Sequence, residues 1–381
     1  MIKSVLIANR GEIAIRIART ARRMGIKTYV VRTAKEPEAV YLSAADAVIN
    51  FPETDGNIPE FLDIDRLVGL AREYKIDSLH PGYGYLSENA ELAERCRDNG
   101  IVFIGPSPEV IRLMGDKVAA KGIAAQSGVP MLGASQGAVH TLDEARKIAK
   151  RLGYPVIIKA VSGGGGRGMR IVHHQDELEQ LYKIATAEAQ VAFNDPSVFI
   201  EKYLENPKHI EFQIVADNYG NVVHLGEREC SIQRKHQKLM EEAPSPALDE
   251  RLRKKMAAAA VSLAKQAGYQ SLGTVEFLLD HQKHFYFMEM NTRIQVEHPV
   301  TEEITGIDLV ELQFNIAAGR KLPLRQSQIH LNGWSIECRI NAEDVQAGFS
   351  PSIGVIRQLR LPQGNHIRIE TGIAPGSEIT P

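Results

Sequence analysis

The segment TVEFLLDHQKHFYFMEMNTRIQVEH, residues 274–298, decides the fold because it contains two apolar runs separated by a short polar turn. Such a pattern predicts a β-hairpin. With the turn centred between Gln282 and Lys283, Glu276 on the first strand lies directly opposite Glu289 on the second. Side chains directly opposite each other in an antiparallel pair share one face of the sheet. The hairpin therefore places two carboxylates side by side among apolar neighbours.

The end of this segment, EMNTRIQVEH at residues 289–298, alternates polar and apolar side chains. Because a strand presents alternate side chains on opposite faces, a continuous strand here would have one polar face, formed by Glu289, Asn291, Arg293, Gln295 and Glu297. Neighbouring carboxylates repel, and their burial is costly unless a cation lies between them. Hard divalent cations prefer such oxygen ligands. We therefore predict a metal site on Glu276, Glu289 and Asn291, with a solvated strand face as the alternative.

A glycine-rich loop, SGGGGRGM at residues 162–169, follows an apolar strand whose end carries Lys159. Successive glycines allow backbone N–H groups to approach phosphate oxygens closely, and the lysine adds a positive charge. The sequence therefore predicts a phosphate-binding loop. The alternatives are a merely flexible loop and a lysine that reaches the surface.

A basic segment, QRKHQK at residues 233–238, is the third candidate site element. Its polar and basic members are Gln233, Arg234, Lys235, His236 and Lys238. Such a wall would complement an acidic metal site that meets a nucleotide and a small anion. A solvated face is the alternative.

The remaining sequence predicts the fold class. Up to about residue 105, strand, turn and helix alternate, which predicts a doubly wound parallel sheet. Its first turn, ANRGEIA, lacks GxGxxG, so no dinucleotide site is expected there. The segment HPGYGYLSENAEL, residues 80–92, is predicted to be an exposed loop before a helix. Two strands around the glycine-rich loop predict a mobile lid, and strands dominate from about residue 205 to a last strand near Ile367–Glu370.

Composition excludes several functional classes. The 381 residues predict more than one domain. With 44% hydrophobic and 24% charged residues and a net charge of −2, the chain gives no reason to expect a nucleic-acid or membrane partner. No apolar run is long enough to span a bilayer. The three cysteines, Cys96, Cys230 and Cys338, form no CxxC pair, so we expect small buried residues in a reducing, cytoplasmic setting.

These segments, taken in order, resemble the biotin carboxylases, which are the ATP-grasp components of biotin-dependent carboxylases such as acetyl-CoA and propionyl-CoA carboxylase. The resemblance covers essentially the whole chain, from IANRGEIA at residue 7 through HPGYGYLSENA, MGDK, KHIEFQ, SIQRKHQK, GTVEF, EMNTRIQVEHPVTE and IECRINAED. SIQRKHQK and EMNTRIQVEHPVTE are its most specific motifs. The glycine-rich loop is less specific because it recurs across ATP-grasp enzymes.

The resemblance implies a fold of the α/β and α+β classes. It implies four parts: an N-terminal, Rossmann-like domain at residues 1–115, a linker and ATP-grasp lid at 116–204, an ATP-grasp catalytic core at 205–330, and a partial, mainly β C-terminal domain at 331–381. Family members usually continue beyond PGSEITP, so we expect a C-terminally shortened chain. No carrier motif with a biotin-bearing lysine is present, so the biotin is expected on another protein or domain.

The resemblance also implies the site residues. ATP is expected at Lys117, Lys159, Gly165, Gly166, Met169, Glu201, Lys202, Leu204, His209, Gln233, His236, Leu278, Glu276 and Glu289. Mg²⁺ or Mn²⁺, at two sites, is expected at Glu276, Glu289 and Asn291. Bicarbonate is expected at Lys238, Arg293, Gln295, Val296 and Glu297, and biotin at Tyr83 and Arg339. The implied catalytic residues are Arg293, Glu297 and Lys238, with Glu297 as the general base.

The implied reaction is ATP-dependent carboxylation of biotin at N1′ with bicarbonate through carboxyphosphate. It is the first half-reaction of an acyl-CoA or keto-acid carboxylase, and the final acceptor is not encoded in this sequence. A biotin carboxyl carrier protein or domain, a carboxyltransferase component and a second copy of the chain are the implied partners. Another ATP-grasp ligase and a catalytically silent nucleotide-binding module are the alternatives, and the latter predicts losses among Lys238, Arg293, Glu297 and Arg339, which are all present.

Overall fold

The structure is a computed structural model that describes residues 2–34, 36, 38–51, 58–135, 137–161, 169–235 and 237–380. The phosphate-loop prediction for residues 162–168, including Gly165 and Gly166, lies outside the described residues, and so does His236. Within the described ranges, three sheets of three or more strands organise the chain.

The first sheet is parallel and lies in the N-terminal part. Its elements are β1 (Ser4–Ile7), α1 (Gly11–Arg23), β2 (Lys27–Arg32), β3 (Ala47–Asn50), α2 (Ile64–Glu73), β4 (Ser78–His80), α3 (Ala90–Asp98) and β5 (Val102–Phe103). The strand order is β3-β2-β1-β4-β5, and every pair is parallel. Apolar strands between amphipathic helices form such sheets because both faces are covered. The predicted doubly wound sheet is confirmed.

The second sheet, which we name the lid sheet, has three antiparallel strands. Two helices, α4 (Pro108–Gly115) and α5 (Lys117–Gln126), precede it. The lid elements are α6 (Leu142–Leu152), β6 (Val156–Ala160), β7 (Met169–Val172), α7 (Leu178–Phe193) and β8 (Val198–Lys202), in the strand order β7-β6-β8. The sheet has a small core of its own around Val156, Ile158 and Ile200. The strands predicted on both sides of the glycine-rich loop are therefore confirmed.

The third sheet, which we name the catalytic sheet, has six antiparallel strands. Its elements are β9 (Lys208–Ala216), β10 (Val222–Arg234), β11 (Gln237–Ala243), α8 (Glu250–Gln266), β12 (Ser271–Leu279), β13 (Phe285–Asn291), α9 (His298–Thr305), α10 (Leu309–Ala317) and β14 (Ser335–Cys338). The order is β13-β12-β9-β10-β11-β14. Phe212, Phe277 and Met256 lie in the core between the sheet and α8. Charged side chains of the other face are therefore held by a rigid, packed layer.

The C-terminal part contains two short strand pairs. The pairs are β15 (Glu343–Asp344) with β16 (Ser350–Pro351), and β17 (Gly354–Val355) with β18 (Glu378–Ile379). The predicted strand near Ile367–Glu370 is wrong, because these residues form no strand. The charged side chains of this segment form ion pairs instead. Arg368 contacts Glu302 at 2.8 Å and Glu370 at 2.8 Å.

Two further expectations concern side-chain exposure and membranes. Cys96 and Cys230 are buried as expected, whereas Cys338 is exposed, so the prediction of three buried cysteines is wrong. The reason is that β14 is an edge strand, and its even-numbered side chains, which include Ile336, face outward. None of the helices in the described ranges is long and apolar enough to cross a membrane.

Candidate active site

The hairpin of β12 and β13 places the two predicted metal carboxylates opposite each other. Glu276 pairs with Glu289, as the sequence predicted. A symmetric hairpin turn alone does not produce this pairing. Phe277 pairs with Phe287, and the register shifts between this pair and the pair of Glu276 with Glu289. Met288 is therefore an extra residue of a β-bulge, which re-aims the strand after it. The bulge brings Glu289 rather than Met288 opposite Glu276.

The prediction of one continuous strand over residues 289–298 is wrong, because β13 ends at Asn291 and the chain then turns into α9. The odd-numbered polar side chains nevertheless converge. Arg293 Nη2 donates to Asn291 Oδ1 at 2.9 Å, and Gln295 Nε2 donates to Glu276 Oε1 at 3.1 Å. The turn therefore produces the predicted cluster by curving around Glu276 instead of extending away from it.

Glu276 is buried and surrounded by donors. Its Oε1 accepts hydrogen bonds from Lys238 Nζ at 3.0 Å and Asn291 Nδ2 at 2.8 Å, and its Oε2 lies 2.7 Å from His209 Nε2. Burial opposes ionisation, but the charges and hydrogen bonds of Lys238 and His209 outweigh it and lower the pKa of Glu276 to about 2. Glu276 is therefore an anion at neutral pH.

Glu289 has the opposite electrostatic environment, although its side chain is exposed. Partial desolvation by the surrounding protein, followed by the negative charges of Glu276 and Glu88, raises the pKa of Glu289. Asn291 lies beside Glu276 and donates its Nδ2 to that carboxylate, while its amide oxygen accepts from Arg293. Carboxylates that repel each other form an oxygen donor set that suits a hard divalent cation. The residues present thus fit Mg²⁺ or Mn²⁺.

Glu297 is fully buried at the start of α9 and carries two ion pairs. Its Oε1 accepts from Lys238 Nζ at 2.7 Å, and its Oε2 accepts from Arg339 Nη2 at 2.8 Å. Cys230 Sγ lies 3.9 Å from Oε1. Each oxygen of this carboxylate therefore accepts one charge-assisted hydrogen bond. These two bonds fix the orientation of Glu297, the predicted general base.

Lys238 connects the predicted metal ligand Glu276 to the predicted base Glu297. Its Nζ lies 2.6 Å from Glu211 Oε2, in addition to its contacts with Glu276 and Glu297. Burial alone would lower the pKa of Lys238, but the charges of the three carboxylates raise it well above the ordinary value. Lys238 is thus a fixed cation at the centre of the site.

Glu211 and Arg228 support this centre, and sequence reasoning missed both. Arg228 is fully buried, and its Nε donates to Glu211 Oε1 at 2.5 Å while Nη1 donates to Gln213 Oε1 at 2.8 Å. Against the effect of burial, Lys238 and Arg228 lower the pKa of Glu211 to about 2. The sequence did contain a signal for Glu211, because its charge interrupts a largely apolar strand, HIEFQIV at residues 209–215.

Glu88 is the third residue that sequence reasoning missed. It lies in the loop between β4 and α3, so the N-terminal part contributes to the site. Arg293 Nε donates to Glu88 Oε2 at 2.8 Å, and the backbone N–H of Thr292 donates to Glu88 Oε1 at 3.0 Å. These bonds fix Arg293 and account for the end of β13, because the backbone of Thr292 leaves the sheet to meet Glu88.

The predicted ATP residues lie on two sheets. On the lid sheet, Lys159 Nζ contacts Glu201 Oε2 at 2.5 Å, and Lys121 Nζ contacts Glu201 Oε1 at 2.6 Å. Burial opposes ionisation of Glu201, but the two lysines lower its pKa to about 2. Met169 pairs with Lys159 across β6 and β7. Lys202 Nζ donates to the carbonyl oxygens of residues 153 and 154.

The other predicted ATP residues lie mainly on the catalytic sheet. His209 Nδ1 lies 2.9 Å from Gln233 Nε2, and Leu278 pairs with His209 across β9 and β12. Lys117 is the exposed first residue of α5, and Leu204 lies two residues after the end of β8. The predicted ATP residues therefore form two main sets, one on the lid sheet and one on the catalytic sheet.

The two predicted biotin residues lie on different elements. Arg339 directly follows β14 and lies 2.6 Å from Glu241 Oε1, in addition to its contact with Glu297. Tyr83 lies in the loop between β4 and α3, and its hydroxyl donates to Glu12. The structure thus joins Arg339 to Glu297, the predicted base, whereas the Tyr83 hydroxyl is bonded to Glu12 on α1. Val296 is half-buried in the turn before α9.

Three family models together match almost the whole chain. The model described as the carbamoyl-phosphate synthase L chain, ATP binding domain, matches residues 116–325. The fold and site of this central part define the ATP-grasp class of ligases. The models of the biotin carboxylase N-terminal and C-terminal domains match residues 1–111 and 337–381.

Relatives and solved structures agree with these matches. A biotin carboxylase of Nostoc sp. is 52% identical over 377 residues, which cover 99% of this chain and 84% of the relative. The biotin carboxylase domain dimer of the Hydrogenobacter thermophilus 2-oxoglutarate carboxylase, with MgADP, ADP and bicarbonate, has a TM-score of 0.91 at 49% identity, covering 100% of this chain and 84% of that chain. A Campylobacter jejuni biotin carboxylase complex has a TM-score of 0.92 at 46% identity and the same coverage. The chain belongs to the biotin carboxylase family, so the expected family, enzyme class and fold class are confirmed.

Proposed function

We propose that the cluster around Glu297 catalyses the ATP-dependent carboxylation of biotin at N1′, with bicarbonate as the carboxyl source and carboxyphosphate as the intermediate. The single observation that carries this proposal is the double ion pair of the fully buried Glu297 with Lys238 and Arg339. It joins a base to one proposed bicarbonate residue and one proposed biotin residue. ADP and phosphate are the other products.

In the first step, Glu297 accepts the proton of bicarbonate, whose oxygen then attacks the γ-phosphorus of ATP. The proposed bicarbonate residues are Lys238, Arg293, Gln295, Val296 and Glu297. Arg293 is held for this purpose by Glu88 and Gln295. Its guanidinium and the Lys238 ammonium stabilise the negative charge that develops in the transition state.

The phosphates of ATP lie, in this proposal, between the lid sheet and the catalytic sheet. Lys159 would exchange its ion pair with Glu201 for phosphate, because its side chain is partly exposed. Glu276, Glu289 and Asn291 would hold Mg²⁺ or Mn²⁺ at two sites, and the bound cations supply charge neutralisation at the phosphates. The remaining proposed ATP contacts are Lys117, Gly165, Gly166, Met169, Lys202, Leu204, His209, Gln233, His236 and Leu278.

In the second step, carboxyphosphate breaks down to carbon dioxide and phosphate, and the phosphate takes the proton from biotin N1′. The nitrogen then attacks carbon dioxide. Arg339 stabilises the negative charge on the ureido oxygen of biotin, with Tyr83 beside it, and Arg293 stabilises the departing phosphate. Closure of the lid would exclude water, which otherwise hydrolyses carboxyphosphate.

The proposal extends to the organisation and partners of the chain. Residues 1–115, 116–204, 205–330 and 331–381 are proposed as the N-terminal domain, the linker with the lid, the catalytic core and the C-terminal part. Support comes from the separate cores of the lid sheet and the catalytic sheet. A carrier protein or domain that bears biotin, a carboxyltransferase component and a second copy of the chain are the proposed partners.

The test is the transfer of label from bicarbonate to free biotin in the presence of ATP and Mg²⁺. We expect the unaltered chain to form labelled carboxybiotin and Glu297→Gln to form it about 10²- to 10⁴-fold more slowly, because the amide keeps the shape but cannot accept the proton. A matched control is Glu303→Gln, which alters a half-exposed carboxylate on α9. ATP cleavage that depends on neither bicarbonate nor biotin would contradict the proposal and favour another ATP-grasp ligase.

A further inference from the structure

Two carboxyl groups beside the base have no role in the proposed chemistry. Glu241 on β11 pairs directly with Glu337 on β14 in the antiparallel register. Directly opposed residues have side chains on the same face. Arg339 follows Glu337 by two positions, so it faces the same side of the edge strand. The three side chains therefore form one group at the border of the catalytic sheet.

Three of the four oxygens of these two carboxyl groups are buried without a hydrogen-bond partner in the described part of the chain. Both oxygens of Glu241 are buried and accept no hydrogen bond of good geometry, although Arg339 Nη2 lies 2.6 Å from Oε1. Oε2 of Glu337 is also buried without a partner, and so is Nε of Arg339. Unsatisfied buried polar atoms are costly. A proton between the two carboxyl groups would satisfy one oxygen of each.

The charges around the pair leave one carboxyl group without a counter-ion. The buried and half-buried carboxyl groups of this region are Glu211, Glu241, Glu276, Glu297 and Glu337. The cations that face them are Arg228, Lys238, Arg339 and, when protonated, His209. Every carboxyl group of this region except Glu337 has an ion pair with one of these cations in the described part of the chain.

The electrostatic environment of Glu337 agrees with this count. Burial, followed by the negative charges of Glu241 on β11 and Glu297 at the start of α9, raises the pKa of Glu337 to about 8. The positive charges of Arg339 and of Arg228, which lies on β10, lower this pKa, but their effect is smaller than the increase. Two carboxyl groups that share a site cannot both ionise easily. Glu337 is therefore the member of the group that holds a proton at neutral pH.

We propose that Glu337 and Glu241 share one proton and thereby position Arg339 for Glu297 and for biotin. While the proton is present, Glu337 donates it to Glu241, which leaves the guanidinium of Arg339 available to the base and to the ureido oxygen. When the proton is lost to solvent, two adjacent carboxylates attract Arg339 toward the sheet edge. Glu337 is thus a positioning residue, and this inference rests on the proposed function.

The sign of the pH dependence follows from the raised pKa. Glu337 is protonated below pH 8, so biotin-dependent activity is retained there, and it is lost as the pH rises past this value. Glu337→Gln removes the titration but keeps a donor for Glu241, because an amide N–H replaces the acid O–H. Glu337→Ala removes the donor at every pH. The two variants therefore separate the positioning role from simple packing.

The experiment measures kcat/KM for free biotin across a pH series around 8 for the unaltered chain and both variants. We expect the alkaline limb of the unaltered chain near pH 8, a shift of this limb upward by about one pH unit or more in Glu337→Gln, and a roughly tenfold higher KM for biotin in Glu337→Ala at all pH values. Glu242→Gln is the matched control, because Glu242 follows Glu241 on β11 and its side chain therefore lies on the other face of the sheet. Its profile should equal that of the unaltered chain.

Infrared difference spectra supply a second readout that does not depend on activity. The unaltered chain should show the carbonyl-stretch band of a protonated carboxyl group that disappears near pH 8, and Glu337→Gln should lack it. An unchanged pH profile in Glu337→Gln, or a persistent band in that variant, would overturn the inference. Absence of carboxybiotin from the unaltered chain would count against the proposed function instead, while the band would still decide whether the proton is shared.

Discussion

The catalytic sheet and the lid sheet hold their charged residues in different ways. Glu211 and Arg228 in the catalytic sheet and Glu297 beside it are fully buried, and each is paired with an oppositely charged group. In the lid sheet, the ion pair of Lys159 with Glu201 is partly exposed, with 38% of the lysine side chain accessible. Buried charges are fixed in place by their partners, whereas exposed pairs exchange partners at little cost. The difference supports the proposal that the catalytic sheet positions reacting groups, whereas the lid sheet exchanges its contacts for those of a nucleotide.

The largest effect is expected when the buried network of ion pairs in the catalytic sheet is broken. Arg228→Met removes the cation from Glu211 and should lower the free energy of unfolding by about 3–5 kcal/mol, because it leaves a buried carboxylate with one partner fewer. Denaturant unfolding measures the change. The matched control on the lid is Arg146→Met, whose exposed pair with Glu179 contributes less than about 1 kcal/mol. Equal losses in the two variants would contradict the comparison.

A smaller effect appears as a dependence of stability on pH. The pKa of Glu211 is lowered to about 2 in the folded chain, so its ionised form stabilises the fold above the ordinary carboxyl pKa. This contribution, on the order of a few kcal/mol, is lost as the pH falls through the range between the ordinary value and the lowered one. Unfolding free energies of the unaltered chain and Glu211→Gln, measured from neutral to acidic pH, check this. The variant should be less stable at neutral pH and should lose less stability on acidification.

The smallest expected effect concerns the lid sheet. Glu201→Gln weakens the attraction to Lys159 and Lys121 and should lower the free energy of unfolding by about 1–2 kcal/mol, because both lysines are partly exposed and solvent screens their attraction to the carboxylate. It should change the KM for ATP by a few-fold, in a manner that depends on ionic strength. Initial rates at low and high salt measure this change. A loss of stability as large as that of Arg228→Met would show that the two sheets do not differ as described.

Much of the fold was predictable because it depends on local patterns. The parallel order of the N-terminal sheet, the strands on both sides of the glycine-rich loop and the opposition of Glu276 and Glu289 are confirmed. The bulge at Met288 was not predictable, because one extra residue in a strand leaves no compositional signal. The end of β13 depends on Glu88, which lies far away in the sequence.

The candidate site was predictable where polar residues interrupt apolar runs in recognisable motifs. Glu211 and Arg228 interrupt such runs as well, but their importance becomes visible only when the sheet register brings them together with Lys238. The error at Cys338 has the same origin, since only the sheet order identifies β14 as an edge strand. The roles of individual site residues remain predictions that the variants described above can test.

The position of β14 has a consequence for the synthesis of the chain. The strand joins the catalytic sheet next to β11, although a helix, two strands and two further helices separate them in the sequence. On the ribosome, the residues proposed for nucleotide, metal and bicarbonate therefore emerge before Arg339. A nascent chain could complete the sheet up to β11 and bind nucleotide while biotin binding still awaits translation of the edge strand. The order of synthesis thus follows the order of the two proposed chemical steps.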